Sequence, residues 1–255
     1  MHSIIIFNLM RKDHHTIFGI NGCAAILQSK KYKIIEIIIQ SGSPAEKDGK
    51  ITHALGYHGG HIKVLSSSQF KSNFHQWRTQ GVVVRFSGRI DCDLPSYKNQ
   101  TDNIGLLMLD GIEDPQNLGQ IIRTSECAGI DGIIISKHSN CGITDTVLQV
   151  SQGAFTQVPI HIVSNLNQTA TQLKKEDFWI TAVENGIQSK NWYEIDFKGK
   201  MLIIVGSEGR GIKKLNLENS DFQASIPMQG EINSLNVSAA VSAILFERLR
   251  QLSIK

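Results

Sequence analysis

The residues best suited to chemistry lie in two glycine-containing loops near the end of the chain. The first loop is GSEGRG, residues 206–211, and the second is MQGEINSLN, residues 228–236. Each loop follows a short apolar run, Leu202 to Val205 or Ala224 to Pro227, that is typical of a buried strand. Backbone N–H and C=O groups left unpaired at strand ends can hold a polar ligand, and glycine lets that ligand approach the main chain closely. The two loops are therefore predicted to form a cofactor pocket.

Three polar side chains in these loops each have a structural interpretation. Glu208 could be an acidic partner for a helix N-terminus. Ser234 and Asn236 belong to the residue types that cap helices, and an amphipathic helix is predicted to follow them. The predicted core face of that helix holds Val237, Ala240, Val241, Ile244, Leu245 and Leu249.

A third polar segment lies earlier, in the run LDGIEDPQNLGQIIRTSECAGI. Pro115 is tolerated in a first helical turn, so a helix is predicted to start near Gln116 or Asn117 and to end at Gly129. Arg123 is predicted to point about 140° away from Leu118 on a helical wheel. From spacing alone, Arg123 is a solvated arginine and Asn117 a helix-start residue. The predicted buried face holds Leu118, Ile121, Ile122 and Ser125.

Alternating strands and helices are predicted to position these segments. Beyond the two apolar runs, the strands of this part of the chain are predicted at residues 104–110, 132–136, 158–163 and 179–183. Helices are predicted between them at residues 144–151 and 168–175. Such alternation indicates an α/β domain with a largely parallel sheet.

The first part of the chain has a shorter α/β pattern and a different charge. Its helices are predicted at residues 22–28, 45–55 and 67–77, and its strands at 34–39, 61–65 and 81–86. Residues 1–103 contain 13 Lys+Arg and 7 Asp+Glu, whereas the remainder contains 13 and 16. A basic unit joined to a neutral or acidic one suggests that the first unit holds a polyanion, although a solvated basic surface would have the same composition.

Three segments are predicted from these patterns. Residues 14–88 form a small α/β domain, residues 89–103 form a linker without periodicity, and residues 104–255 form the second domain. The apolar run Ser3 to Met10 is too short to span a bilayer, so neither a signal peptide nor a transmembrane helix is expected. The four cysteines are scattered without a CxxC pair, which favours reduced cytosolic thiols.

Two familiar kinds of site do not fit the sequence. The glycine loop reads G-x-x-G-x-G instead of G-x-G-x-x-G, lies about 100 residues into its domain and lacks the lysine of a P-loop, so neither dinucleotide nor P-loop binding is indicated. His58 and His61 in HGGH have no Cys or carboxylate beside them, and no metal site is expected there.

Three motifs together resemble a known family. LDGIEDPQNLGQIIRTSECAGI, IIVGSEGRGI and IPMQGEINSLNVSAAVSAILFE are similar, in this order, to the motifs of the SpoU/TrmH family of RNA ribose 2′-O-methyltransferases in the SPOUT superfamily. The resemblance covers Ile104 to about Gln251. The opening FGINGCAAIL and the basic unit as far as RTQGVVVRF also resemble that family's N-terminal substrate-binding domain, a small RNA-binding fold like that of a ribosomal protein.

The resemblance implies an S-adenosyl-L-methionine-dependent enzyme whose C-terminal domain forms a trefoil knot and dimerises. Chains rarely thread loops, and the spacing of apolar residues carries no information on threading, so only the resemblance implies the knot. Ala239, Ala243 and Phe246 widen the apolar face of the last predicted helix, as a subunit interface would, although a buried helix of a monomer would look the same. The implied substrate is RNA, with a guanosine of 23S ribosomal RNA as first choice and transfer RNA as second.

The family's site residues carry over to this sequence by position. The resemblance implies that Gly206, Ile226 and Leu235 bind the cofactor. It implies a catalytic set consisting of Asn117, Arg123, Glu208, Ser234 and Asn236. A guanidinium is essentially always protonated, so Arg123 is interpreted as gripping the neighbouring phosphate and orienting the ribose, with a phosphate oxygen accepting the proton.

Two other classes of function remain open from the sequence. A non-catalytic RNA-binding or ribosome-assembly protein could keep the fold, but all five polar positions are present. A different nucleotide-binding enzyme should carry a phosphate-binding loop early in the domain, which is absent. Gln120 and Gln157 depart from the usual residues of the family and leave the RNA subtype open. A cytoplasmic location is expected.

Overall fold

The computed structural model describes residues 14–75, 77–138, 140–186, 189–207 and 209–254. The chain divides at residues 89 and 90 into two compact units. The division into domains and a linker stays a prediction, and Glu208 and the apolar run from Ser3 to Met10 lie outside the described residues.

The first unit is built on a four-stranded sheet with the order β1-β4-β2-β3. β4 is antiparallel to β1 and β2, and β3 is parallel to β2. The strands are β1 (His14–Phe18), β2 (Lys33–Gln40), β3 (Ile62–Leu65) and β4 (Val82–Ser87). The helices are α1 (Ile20–Gln28), α2 (Pro44–Lys47), α3 (Gly49–Leu55) and α4 (Ser67–Phe74).

Two features of this unit differ from the sequence predictions. The single helix predicted over residues 45–55 is wrong, because the chain turns at Asp48, whose carboxylate accepts hydrogen bonds from Lys50 N at 2.9 Å and Ile51 N at 3.2 Å and so caps α3. The strand β1 was not predicted, because its extended conformation depends on pairing with β4, far away in sequence.

The second unit contains a seven-stranded sheet with the order β7-β6-β5-β10-β8-β11-β9, in which every pair of neighbours is parallel. The predicted α/β domain with a largely parallel sheet is confirmed. The strands are β5 (Gly105–Asp110), β6 (Gly132–Ser136), β7 (Ile160–Val163), β8 (Trp179–Val183), β9 (Lys190–Asn191), β10 (Met201–Gly206) and β11 (Phe222–Ser225). The helices are α5 (Pro115–Cys127), α6 (Asp145–Val150), α7 (Leu166–Lys174), α8 (Lys214–Glu218) and α9 (Val237–Ser253).

The central strands of this sheet are buried, as parallel strands covered by helices usually are. All six residues of β5 are buried. One face packs on α7 through a core that includes Leu106, Met108, Leu202 and Ile204. Tyr97, from the segment predicted as a linker, joins this core, and its backbone N–H donates to Glu176 Oε2 at 2.6 Å. Residues 90–103 therefore pack as part of the second unit.

The two helices that carry polar motif residues begin at side-chain caps. Asp114 caps α5 by accepting from Gln116 N at 2.9 Å, so this helix starts one residue earlier than predicted. Asn236 caps α9 by accepting from Ser238 N at 2.9 Å. The predicted core faces of α5 and α9 are confirmed, with Ala240 and Leu249 only partly buried.

No helix within the described ranges is long and apolar enough to cross a membrane.

Candidate functional site

A cavity of about 390 Å³ lies at the carboxyl ends of β8, β10 and β11. Ligands of open α/β sheets usually bind in such a crevice. Gly206, Ile226 and Leu235, the three residues implied to bind a cofactor, all line it, and so does Ser234. The other lining residues come from the ends of β8 and β10, from the loops that follow β8, β10 and β11, and from the start of α9: Val183, Glu184, Asn185, Val205, Ser207, Gly209, Gly211, Met228, Asn233, Val237 and Ala240.

The glycine loop closes tightly against this cavity. Gly211 N donates to Ser207 O at 3.0 Å, and Gly209 and Gly211 have left-handed backbones with φ of 86° and 65°. Gly206 has a different constraint, because a Cβ at this position would lie 2.5 Å from Ile212 N and even closer to the carbonyl group of Gly211. The loop can therefore fold back on the strand end only if residue 206 has no side chain.

A second cavity of about 170 Å³ adjoins the first, and Ser207 and Val237 line both. Asn117 lines the second cavity, at the start of α5. Its Oδ1 accepts a hydrogen bond from Asn236 Nδ2 at 2.9 Å, while Asn236 Oδ1 accepts from Ser238 N. Asn236 thus makes two structural contacts, because the residue that caps α9 also fixes the amide of Asn117.

Arg123 is not brought to this site within one chain. It is exposed on α5, six residues beyond Asn117, which places it about 9 Å further along the helix axis and about 120° around it. It lines neither cavity, and it makes no hydrogen bond or ion pair with any residue that the structure describes.

Two carboxylates that the sequence analysis did not single out hold the segment that directly follows the glycine loop, residues 212–216. Asp110 is 1% exposed, and its Oδ2 accepts from Lys213 N at 3.0 Å and Asn216 Nδ2 at 2.7 Å. Glu184, at the end of β8, accepts from Ile212 N at 3.1 Å. Both lie where an apolar strand ends in an acidic residue, and that sequence signal could have identified them.

The neighbouring thiols are unsuited to nucleophilic chemistry. Burial raises the pKa of the Cys127 thiol on α5 and of the Cys141 thiol near Ile112, so both stay protonated at neutral pH. No group of three or more His, Cys, Asp or Glu side chains that could hold a metal ion occurs among the described residues. His58 Nε2 instead lies 2.9 Å from Leu27 O.

Replacing Asp110 by alanine is expected to lower the free energy of unfolding by about 1–3 kcal/mol, because Lys213 N and Asn216 Nδ2 would lose a buried charged acceptor. Because these residues directly follow the glycine loop, the loss of their anchor should also weaken cofactor binding. Urea unfolding measures the free energy of unfolding, and calorimetric titration with S-adenosyl-L-methionine measures the cofactor affinity. Glu218→Ala is the matched control, since Glu218 forms an exposed ion pair with Lys214 on α8 and should matter by less than about 0.5 kcal/mol. Equal stability of the two variants would contradict the role given to Asp110.

Comparisons with known proteins agree on one family. Residues 105–246 match the SpoU rRNA Methylase family. A 23S rRNA (guanosine-2′-O-)-methyltransferase of Shewanella oneidensis, RlmB, is 35% identical over 243 residues, covering 94% of this chain and 98% of the relative. The RlmB enzyme of Escherichia coli is 32% identical over 240 residues, covering 93% and 98%.

A solved structure has the same fold. The SpoU methyltransferase AviRb from Streptomyces viridochromogenes, in complex with the cofactor AdoMet, matches with a TM-score of 0.77 at 19% sequence identity. The match covers 95% of this chain and 92% of the other.

Proposed function

The chain belongs to the SpoU rRNA methylase family, and on that premise we propose that it transfers the methyl group of S-adenosyl-L-methionine to a ribose 2′-hydroxyl of RNA. A guanosine of 23S ribosomal RNA is the proposed target, because relatives so named are more than 30% identical over nearly the whole of both chains. The proposal rests above all on the paired cavities at the carboxyl ends of β8, β10 and β11.

The first cavity fits the cofactor. Its walls combine apolar side chains such as Ile226 and Leu235 with loop backbone, which suits an adenine ring beside polar groups. Gly206 leaves room for the main chain to approach a ligand closely. When bound, the cofactor supplies a methyl group activated by a positively charged sulfur. The protein's part is to bind it, exclude water and present the sugar hydroxyl in line.

The second cavity is the proposed place for that sugar. Asn117 and Asn236 hold one another at 2.9 Å and can orient a hydroxyl group, with Ser234 at the adjoining wall. Glu208 completes the set on the basis of its place in the motif. No histidine of the described ranges lines either cavity, so alignment and charge placement are proposed to provide most of the rate enhancement.

Arg123 is proposed to reach this site from a second copy of the chain. Its guanidinium has no ion-pair partner among the described residues, and its helix α5 packs beside α9. A guanidinium binds phosphate in a fixed geometry but does not give up its proton near neutral pH. In this proposal Arg123 grips the phosphate next to the target ribose, and a phosphate oxygen accepts the hydroxyl proton.

The proposed interface between the two copies is the outer face of α9. Ala239, Ala243 and Phe246 recur at helical spacing there, and Phe246 is 48% exposed. An exposed aromatic residue within a stripe of small residues is typical of an interface core.

Phe246→Asp is expected to convert a dimer into monomers and to lower methyl transfer by at least about tenfold, because a desolvated charge would lie in the interface. Analytical ultracentrifugation measures the mass in solution. Tyr193→Asp is the control, since Tyr193 is 55% exposed elsewhere in the second unit. A wild-type chain that sediments as a monomer would refute the dimer.

We further propose the trefoil knot that the resemblance implies. Support comes from the path of the chain, which runs outward to β11 beyond β8 and then returns so that α9 contacts α5 and β10. A crystallographic chain trace in which residues 226–236 pass outside the glycine loop would contradict it.

The first unit is proposed to bind the RNA substrate. Residues 14–89 carry 10 Lys+Arg and 3 Asp+Glu, a balance suited to a polyanion. Since ribosomal RNA is the proposed substrate, a cytoplasmic location is proposed as well.

Mapping of ribose-methylated nucleotides by mass spectrometry, in cells with and without this protein, tests the function. One guanosine of 23S ribosomal RNA is expected to lose its 2′-O-methyl group. Loss of a 2′-O-methyl group from transfer RNA instead would support the proposed reaction but refute 23S ribosomal RNA as its target. An unchanged pattern in both RNAs would favour the non-catalytic alternative.

A further inference from the structure

A separate cavity lies entirely within the first unit, beside the end of α4. It has a volume of about 470 Å³, and Phe70, Phe74 and Trp77 form its apolar wall. Lys71 and Gln80 are among its polar lining residues. A cavity with an aromatic wall and a few polar groups is typical of a binding site for a flat, partly polar molecule.

The aromatic wall is ordered by ring stacking. The rings of Phe18 and Trp77 lie 5.0 Å apart between centroids and 13° from parallel, and those of Phe74 and Trp77 lie 5.6 Å apart at 29°. Trp77 nevertheless remains 41% exposed. Because its neighbours already fix the indole, a ligand ring that covers the exposed part would cost little conformational entropy.

Gln80 presents a hydrogen-bond donor at the same cavity. Its backbone is left-handed, with φ of 54°, a conformation that residues other than glycine rarely adopt. Its Oε1 accepts from Ile20 N at 3.0 Å, which fixes the amide, while its Nε2 donates to no described residue. Strained backbone of this kind often occurs at binding sites.

Two cationic residues lie at the aromatic wall or next to it in sequence. Lys71 lines the cavity and Arg78 directly follows Trp77, and neither forms an ion pair with a described residue. Both are exposed. An exposed aromatic ring with cationic residues nearby in the chain matches the repeating unit of a single-stranded nucleic acid, whose bases stack and whose phosphates are anionic.

We propose that this cavity binds one unpaired nucleotide of the RNA substrate. The base covers the exposed part of Trp77, Gln80 Nε2 donates to an acceptor on its edge, and Lys71 and Arg78 contact the adjacent phosphates. This inference rests on the proposed function, which makes RNA the ligand. It predicts that the first unit distinguishes single-stranded from duplex RNA.

Fluorescence of a full-length variant with one tryptophan tests the site. The chain has three tryptophans, so Trp179→Phe with Trp192→Phe leaves only Trp77. A single-stranded oligoadenylate of 12 nucleotides is expected to quench this emission, and a 12-base-pair RNA duplex is not. Absence of quenching by the oligoadenylate, or equal quenching by both RNAs, would overturn the proposal.

Variants measure the contribution of the ring. Trp77→Ala is expected to weaken oligoadenylate binding roughly tenfold, the effect usually seen when one base loses its stacking partner, while Trp77→Phe keeps the affinity within about twofold. Tyr57→Ala is the control in the same unit, because Tyr57 is 75% exposed but contacts only His53 among the described rings. Equal affinity of Trp77→Ala and wild type would refute the stacking role. If Trp77→Ala unfolds because it loses its packing on Phe18, the quenching measured on the variant that keeps only Trp77 decides whether the ring contacts RNA.

Methyl transfer separates this inference from the proposed function. If wild type methylates a 23S ribosomal RNA fragment and a folded Trp77→Ala does so with the same KM, only the nucleotide site is wrong. If wild type transfers no methyl group to RNA, the proposed function fails, and the oligoadenylate quenching still tests the cavity.

Discussion

Replacing Arg123 by lysine is expected to lower kcat by at least about 100-fold, a loss typical of removing a group that stabilises charge in the transition state. Lysine keeps the positive charge but cannot present two parallel N–H groups to a phosphate, so the ribose would lose its alignment. The affinity for S-adenosylmethionine should stay near the wild-type value, because Arg123 does not line the cofactor cavity.

Calorimetric titration measures the affinity for S-adenosylmethionine, and an assay that follows tritium transfer from the cofactor to RNA measures kcat. Arg85→Lys is the control, because Arg85 is already engaged by Glu36 at 2.8 Å in the first unit. Retained turnover in Arg123→Lys would rule out the assigned role.

Mixing two inactive variants tests where Arg123 acts. In a mixed dimer of Arg123→Lys and Asn236→Ala, one site combines an intact Arg123 from one copy with an intact Asn236 from the other. Random mixing should therefore restore about one quarter of the wild-type rate if the arginine acts across the interface. No recovery in demonstrably mixed dimers would place Arg123 and Asn236 in the same chain's site.

Gly206→Ala is expected to weaken cofactor binding by about 10- to 100-fold, the equivalent of the 1–3 kcal/mol that overpacking usually costs. The added methyl group would meet the backbone of Gly211 and Ile212, which cannot rotate away as a side chain could. The glycine loop must then move into the cavity that it borders. Titration with S-adenosylhomocysteine measures the loss without turnover.

Gly230→Ala provides the matched control for that substitution. Gly230 lies in the following loop, and a Cβ there would have no atom within 4 Å. Its affinity for S-adenosylhomocysteine should remain within about twofold of wild type, as expected for an exposed substitution. Similar losses in both variants would show that glycine flexibility, and not the close backbone approach at Gly206, controls binding.

Local patterns were sufficient to predict much of the second unit. The buried face of α5 and the outward direction of Arg123 follow from the helical period of 3.6 residues, and the parallel sheet follows from apolar runs that alternate with helices. Both patterns depend on near neighbours in sequence. The cofactor pocket was predicted for a similar reason, because parallel strands end at one edge of a sheet.

Contacts that depend on strand order could not be predicted in this way. Asp110 and Lys213 are 103 residues apart and meet only because β5 and β10 are neighbours in the sheet. The same holds for the Asn117–Asn236 pair, which is 119 residues apart. The strand β1 lacks an independent local signal, since pairing with β4 gives it its conformation. Arg123 is exposed, and what it contacts depends on how two copies of the chain assemble, which no local sequence pattern encodes.

Ser207 and Val237 form a wall common to the two cavities, so anything that shifts this wall on one side changes the space on the other. Methyl donor and acceptor should consequently bind with a measurable coupling. Thermodynamic reciprocity requires that the factor by which the donor alters RNA affinity equal the factor by which RNA alters donor affinity. A spent donor that remains in its cavity would then also influence how long the methylated RNA stays bound.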